Sequence, residues 1–259
     1  SSFKNWKLIT AANYLISGSL QGNFKGELNL GYHSDASSAG IKQAIDRSAV
    51  PYCYIYFNGN HFQWNNSFSA IHHSRTTAYF QHSTYNISVE LFADRMTGFL
   101  FMNQNALPAQ LLTSLTVNGV IVAKKFNFRK WHLDNRIRFQ KVSDSEVCHL
   151  PEWSLMHHLY WENKLAKGKF ILSAGVRMRY ISSFYGDAFM PATGFFYLQQ
   201  ATRSFGVPVF DVITDFKLKL ATLFLSAENV KGDQLVMTPH YPVASRIFRF
   251  GVRWYFLDQ

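Results

Sequence analysis

A period of two residues constrains this chain more than any other feature. FKGELNLGYH (Phe24–His33) sets Phe24, Leu28, Leu30 and Tyr32 against Lys25, Glu27, Asn29 and His33. YNISVELFAD (85–94) sets Ile87, Val89, Leu91 and Ala93 against Asn86, Ser88, Glu90 and Asp94. The same alternation runs through WHLDNRIRFQ (131–140), KFILSAGVRMRY (169–180), DVITDFKLKL (211–220) and the terminal RIFRFGVRWYF (246–256). Side chains two apart share one face of a strand, so each segment reads as a strand with one oily and one polar face. Segments of about ten residues are also what a tilted strand needs to cross a bilayer.

A soluble barrel and a membrane barrel use such strands in opposite senses, and composition bears on the choice. Hydrophobic residues make up 47% of the 259 and charged residues 16%, below the roughly 25% usual in soluble domains. Mean hydropathy is −0.10, and no run of about 18 apolar residues marks a transmembrane helix. Apolar surface is ample but spread through short alternating pieces, as lipid-facing and lumen-facing positions require. The net charge is +10. Its basic residues stand singly along strands rather than in a run, which argues against nucleic acid and for anionic solutes or lipid phosphates. Cys53 and Cys148 are the only cysteines; they form neither a metal-ligand spacing nor a disulfide framework, and one bridge between them stays open. The opening SSFKNWKLIT has no Met, basic stretch or apolar stretch of a signal peptide, which fits a processed exported protein or a piece of a longer one.

Connections fall into two classes. Short ones are expected around SLQGN (19–23), NFRK (127–130), AKGK (166–169) and KLA (219–221). Long ones, rich in aromatics, Pro and Asn, are expected over 35–51, 95–108, 143–151, 183–208 and 231–243. Alternating short and long connections in an up-and-down sheet gather the long loops at one end, the asymmetry of outer-membrane barrels. GIKQAIDR (40–47) is the best helix candidate and is expected in a loop. The reading is all-β: one domain over 1–259, an antiparallel up-and-down transmembrane β-barrel of about 12–14 strands, or the C-terminal part of a larger barrel.

Orientation follows from cost. An Arg or Lys facing hydrocarbon costs roughly 2–4 kcal/mol at the midplane, whereas in a wet lumen it pairs with carboxylates. Lys25, Arg136, Arg138, Arg177, Arg179, Lys217, Lys219, Arg249 and Arg253 are therefore the lumen and selectivity candidates, with Glu27, Glu90, Asp134, Asp211 and Asp215 on the same faces. Trp6, Trp64, Trp131, Trp153, Trp161, Trp254 and Phe256 are the candidates for membrane-interface girdles.

A resemblance adds to this. GNHFQWNN (59–66), ALPAQ (106–110), HLPEW (149–153), YGDAFMPATGFFYLQQ (185–200), PVFDVITDFKLK (208–219) and HYPVASRIFRFGVRWYF (240–256) resemble, in order, the C-terminal part of the putative porin family of Bacteroidota outer membranes. These stretches read as loop anchors and strand ends, not catalytic motifs. The resemblance implies an outer-membrane location and a channel role without a known substrate. The last stretch also resembles the terminal strand that barrel-assembly machinery recognises, except that Leu257, Asp258 and Gln259 follow its final aromatic. Members of the family are usually longer at the N-terminus.

Catalytic and metal readings are weaker. HHSRTTAYFQHSTYN (72–86) gathers His72, His73, His82, Ser74, Ser83 and Asn86, residue types that outer-membrane phospholipases use, but equally those of lumens and turns. His157 and His158 are neighbours on a strand and face opposite sides, so they cannot chelate together. ENVKGDQ (228–234) and FYGDAF (184–189) offer too few oxygens for Ca²⁺ and read as solvated loops. No enzyme activity, metal or cofactor is expected. The expected function is passive diffusion of small polar solutes through a lumen biased to anions. The alternative is a non-conducting barrel serving as scaffold or partner in an outer-membrane complex. A soluble lipocalin-like carrier is a third reading, disfavoured by the loop asymmetry. Expected partners are the lipid bilayer and lipopolysaccharide, assembly machinery during biogenesis, and other outer-membrane proteins or lipoproteins for the scaffold.

Overall fold

The computed structural model describes residues 2–3, 5–18 and 21–254. Twelve long strands form one antiparallel sheet in chain order: β1 (Trp6–Tyr14), β2 (Phe24–His33), β3 (Ser37–Ser48), β4 (Ile71–His82), β5 (Ile87–Thr97), β6 (Leu115–Phe128), β7 (Trp131–Val142), β8 (Trp153–Leu165), β9 (Phe170–Ile181), β10 (Val209–Leu218), β11 (Ala221–Glu228) and β12 (Ile247–Trp254). A two-residue strand, Ser2–Phe3, pairs with β1. Among the described residues, that pair and β12 are the edges of the sheet. The up-and-down topology and the strand total agree with the expectation.

One end of the sheet carries tight turns, here the turn end. Phe128 faces Trp131 across two residues, and Leu218 faces Ala221 likewise. Two-residue hairpin turns match the twist of their strands only with left-handed residues; Arg129 (φ 55°) and Lys219 (φ 43°) supply them. The opposite, loop end carries connections 49–70, 98–114, 143–152, 182–208 and 229–246. Two expectations are corrected here. GIKQAIDR is not a loop helix but lies within β3, where Ile41 and Ile45 alternate with Lys42, Ala44 and Asp46. Ladders to β2 and β4 on both sides outweigh its short helical pattern. The connection 35–51 is therefore mostly strand, with its tight turn at 34–36. Within SLQGN, Ser19 and Leu20 lie outside the described residues; the connection from β1 to β2 opens at the loop end, not the turn end.

Registers fix the two faces. Leu8 faces Leu30, Leu30 faces Ile41, Leu91 faces Val120, Leu133 faces Leu159, and Leu225 faces Phe250. This face holds most of the exposed large apolar side chains, with Phe250 85% exposed. No carboxylate among the described strand residues points to it. The other face is charged and polar, yet Asp94, Gln140 and Asp211 on it are buried. An apolar face open to its surroundings and a polar face turned into the protein is the arrangement of a membrane barrel. The fold is thus the all-β outer-membrane type, with most strand aromatics outward and all but Arg47 and Arg95 of the arginines on the long strands inward.

Dry packing is concentrated in the loops, not between the strands. Paired segments Tyr56–Asn58 with Gln63–Asn65, Leu100–Met102 with Pro108–Gln110, and Ala188–Met190 with Phe195–Tyr197 form small hairpins. Trp64, Met102, Ala106 and Leu198 are buried among them. Leu198 donates its backbone N–H to the Met102 carbonyl, tying two hairpins together.

Candidate permeation surface

By register, the inward face carries the basic residues Lys7, Lys25, Lys42, Arg75, Lys125, Arg136, Arg138, Lys164, Arg177, Arg179, Lys217, Arg249 and Arg253. Against these thirteen stand nine carboxylates: Glu27, Asp46, Glu90, Asp94, Asp134, Glu162, Asp211, Asp215 and Glu228. The strand faces alone therefore leave an excess of four positive charges.

These charges differ in freedom. Asp211 at the loop end of β10 is wholly buried. Its Oδ2 accepts from Arg177 Nε and pairs with Arg177 Nη2 and Arg179 Nε, each at 3.0 Å. Its Oδ1 accepts from Arg179 Nη2 and the Asn229 backbone N–H, also at 3.0 Å. One carboxylate thus holds two guanidiniums and the start of the last loop. A second cluster spans β3, β4 and β5. Arg75 makes a bidentate pair with Asp94 at 2.7 and 2.6 Å, and the His73 ring bridges Asp94 and Asp46 at 2.9 and 3.1 Å. Charge-assisted, two-pronged contacts of this kind are the strong ones. Beside it, Phe92 faces inward with Arg75 and Arg138 over its ring at 5.8 and 5.2 Å, within cation–π range. Gly119 permits this, since a Cβ there would fall 2.5 Å from the Phe92 ring.

The nine lumen candidates accordingly separate. Arg177 and Arg179 are fastened to Asp211, and Arg138 is packed over Phe92. Lys25 pairs with Glu27 at 2.7 Å and Arg249 with Glu228 at 3.3 Å. Arg136, Lys217 and Arg253 are exposed and have no carboxylate within 4 Å among the described residues. Lys219 is a correction: it lies in the two-residue turn after β10, because closing that turn takes the residue out of the strand alternation.

Loops cover the upper part of this face. Inward positions at the loop end, Leu115, Val117, Gln140 and Val209, are buried, and Gln140 Nε2 donates to the Pro151 carbonyl at 2.9 Å. Inward positions at the turn end, such as Lys125 and Lys217, are exposed. The connections 143–152 and 229–246 make contacts to this face at the loop end, through Pro151 on Gln140 and Asn229 on Asp211.

On the outward face, Trp6 packs edge-on against Tyr32 at 5.4 Å, Trp131 faces Trp161, and Trp254 faces Ala221, all at the turn end. Trp153 lies 4.7 Å from Phe139 at the loop end. Trp131 and Phe139 are eight residues apart on β7, so the two aromatic rows stand about 27 Å apart along the strand. At a tilt of about 40° that is about 20 Å along the bilayer normal. Trp64 does not belong to a girdle. It is buried in a loop hairpin, stacked on Phe57 at 4.6 Å, with Nε1 donating to the Cys53 carbonyl. Its loop folds back on itself, so the ring finds partners there. Phe256 lies outside the described residues.

The histidine-rich stretch does not assemble a nucleophile and base. His72 points outward and His73 inward to its aspartates, Ser74 accepts from Gln43 Nε2, and Ser83 Oγ donates to the Ala36 carbonyl. His157 faces outward and meets Asn135 Oδ1 at 2.6 Å, while His158 faces inward. FYGDAF is more than a solvated loop: Asp187 Oδ1 accepts from His149 Nδ1 at 2.9 Å. In ENVKGDQ, Asn229 is buried and its Nδ2 donates to the Asp233 carbonyl. Cys53 and Cys148 are both free thiols. The Asp94 and Asp46 cluster escaped the sequence reading. Its one signal was the spacing of His73 and Arg75 by two, which puts them on one face.

Comparison with known proteins places this geometry. No curated protein sequence matches the chain. Among solved structures, the fold is shared with the copper transporter OprC at TM-score 0.70 and 11% identity, covering 97% of this chain and 45% of that one. It is shared with the ferric enterobactin receptor PfeA of Pseudomonas aeruginosa at TM-score 0.65 and 12% identity, covering 97% and 43%. It is shared with the iron transporter FrpB of Neisseria meningitidis at TM-score 0.60 and 13% identity, covering 90% and 39%. The chain thus spans less than half the length of these barrels. The putative porin family matches residues 1–258. With its oily face outward and its ion pairs inward, this non-enzymatic outer-membrane β-barrel chain belongs to the putative porin family.

Proposed function

We propose that residues 1–259 act as one domain whose inward face lines a wet path for passive diffusion of small polar solutes, biased toward anions. The observation that carries this is the surplus of basic over acidic residues on the inward strand faces, with Arg136, Lys217 and Arg253 exposed and unpaired. Such side chains lower the barrier for anions through local potential, while pore width sets the size limit. Arg177, Arg179 and Arg138 act as braces of the mouth; Lys25 and Arg249 contribute through neutralised pairs. The matched structures are named for copper, iron and ferric enterobactin; only the fold is shared, and their cargo is not carried over. Lipopolysaccharide at the loop end and assembly machinery acting on the last strand complete the proposed partners, in a Bacteroidota outer membrane. Planar-bilayer recording of the folded chain tests the reading: discrete conductance with a reversal potential favouring anions supports it, and cation preference refutes it.

A second reading has its own support. The loops that bury Leu115, Val117 and Gln140 cover the upper inward face. A barrel closed in this way serves as a scaffold within a complex of other outer-membrane proteins or lipoproteins. A folded, heat-modifiable chain that never conducts, and that co-purifies with such partners, would favour it.

A further inference from the structure

The outward face is oily over most of the sheet, but its loop end is not uniform. On β1, β2 and β8–β12 the outward residue nearest the loop end is apolar or aromatic, as with Phe24, Trp153, Phe210 and Phe248. On β3–β7 the last two outward positions instead include Arg47, His72, Arg95, Thr116 and Lys141. Arg47 faces His72, Arg95 faces Thr116, and Lys141 faces Asn118. The three cations therefore spread over four interstrand gaps, about 19 Å. Arg47 Nη1 donates to the Gly22 carbonyl at 2.6 Å, and Arg95 donates to Ser114 Oγ at 3.3 and 3.2 Å. Among the described residues, neither they nor Lys141 has a carboxylate within 4 Å. Arg95 and Lys141 are exposed and Arg47 is half-buried.

Their depth is set by the aromatic row. Lys141 stands two residues beyond Phe139, which packs on Trp153, so it lies about 7 Å further along the strand, level with headgroups and not with acyl chains. Below Arg47 and His72, Gln43 Nε2 donates to Ser74 Oγ and Thr76 Oγ1 donates to Gln43 Oε1. Polar groups nearer the hydrocarbon thus satisfy one another, whereas the cations above them are left for an anion from outside the chain. Guanidinium matches phosphate oxygens with paired bonds. A second copy of this chain fits poorly, since a two-fold contact would set these cations against their own equivalents.

We propose that the loop-end rim of β3–β7 binds the phosphorylated headgroup of an outer-leaflet glycolipid of the lipid A type. Arg47, Arg95 and Lys141 hold its phosphates, and its acyl chains lie along the oily face below, against exposed Ile41 and Ile45. This rests on the lipopolysaccharide contact proposed above and gives it an address; it does not depend on conduction.

The test is native mass spectrometry of the full chain in detergent, with lipid A, dephosphorylated lipid A and phosphatidylglycerol as probes. Lipid A should bind one to one and about tenfold or more tighter than the other two, since each loses charge-assisted bonds. Joint Arg47→Gln, Arg95→Gln and Lys141→Gln substitution should weaken lipid A binding by about tenfold or more while migration stays heat-modifiable. Lys124→Gln, which removes an outward lysine at the turn end, should leave binding unchanged. Tight lipid A binding that survives the triple substitution would keep the lipopolysaccharide contact and overturn this address for it. No binding to the native chain would overturn both. Dephosphorylated lipid A or phosphatidylglycerol binding as tightly as lipid A would refute the proposal without any variant. An acidic protein held in stoichiometric amount by the native chain and lost from the triple variant would assign the rim to a protein partner instead.

Discussion

Asn in place of Asp211 keeps the shape of the side chain and removes its charge. In the native structure that carboxylate is fully buried and holds Arg177, Arg179 and the Asn229 N–H through contacts at 3.0 Å. After the change, two guanidiniums face each other with no anion between them. Breaking one partner of a buried ion pair costs about 3–5 kcal/mol. The arginine side chains are 30% and 45% exposed and regain some water, so the low end applies, about 3 kcal/mol. That is roughly a hundredfold in the folding equilibrium. Urea unfolding in detergent, followed by tryptophan fluorescence and by heat-modifiable migration on gels, measures it. Lys217→Ala, an exposed position on the same strand face, should shift stability by less than about 0.5 kcal/mol. In the Asp211→Asn background, Arg179→Met should cost less than it does in the wild type, because it then removes a repulsion. If Asp211→Asn is no worse than Lys217→Ala, or the two substitutions simply add, the carboxylate is not the brace described here.

The same distinction separates selectivity from stability. Glu at Lys217 or Arg253 should move the reversal potential toward cations with little change in stability; an unmoved potential would remove these residues from the permeation path. Cys148 should resist alkylation at pH 8 while exposed Cys53 reacts. Burial first, then Asp187 and Asp144, push the Cys148 thiol from 9.0 up to about 11, leaving roughly a hundredfold less of the reactive thiolate than an ordinary thiol. Because the unfolded chain ionises first, the loop cap should lose stability as pH climbs from 9 toward 11; equal labelling of both thiols at pH 8 would contradict this. Trp64→Ala should destabilise by about 3 kcal/mol or more, as loss of a buried large ring does. It should also raise proteolysis of the loops without altering membrane insertion. A resistant loop cap would return Trp64 to the surface.

The strand faces were legible because side chains alternate on a pleat whatever the surroundings. Phe248, Phe250, Val252 and Trp254 could be placed on one face from their spacing alone and Arg249 and Arg253 on the other; the cost of a charge in hydrocarbon then turned the aromatic face outward. Family-like stretches such as HLPEW and YGDAF could be recognised as loop anchors, but not that His149 of one bonds Asp187 of the other. Position along a strand was misjudged where local pattern and ladder pairing disagreed, as in GIKQAIDR, because the energy of a strand lies in neighbours far away in sequence.

What the sequence by itself determined is the period, the face of each strand residue and the excess of positive charge, since these depend only on the order of residues. Tertiary structure alone decided which charges are free. Arg177 and Lys217 read identically as basic residues at alternate positions, yet one meets a buried carboxylate from the next strand and the other meets water. That difference rests on register and on which loop meets the inward face, both set by contacts between residues distant in the chain. An ion pair forms only where two such residues are brought within a few ångströms.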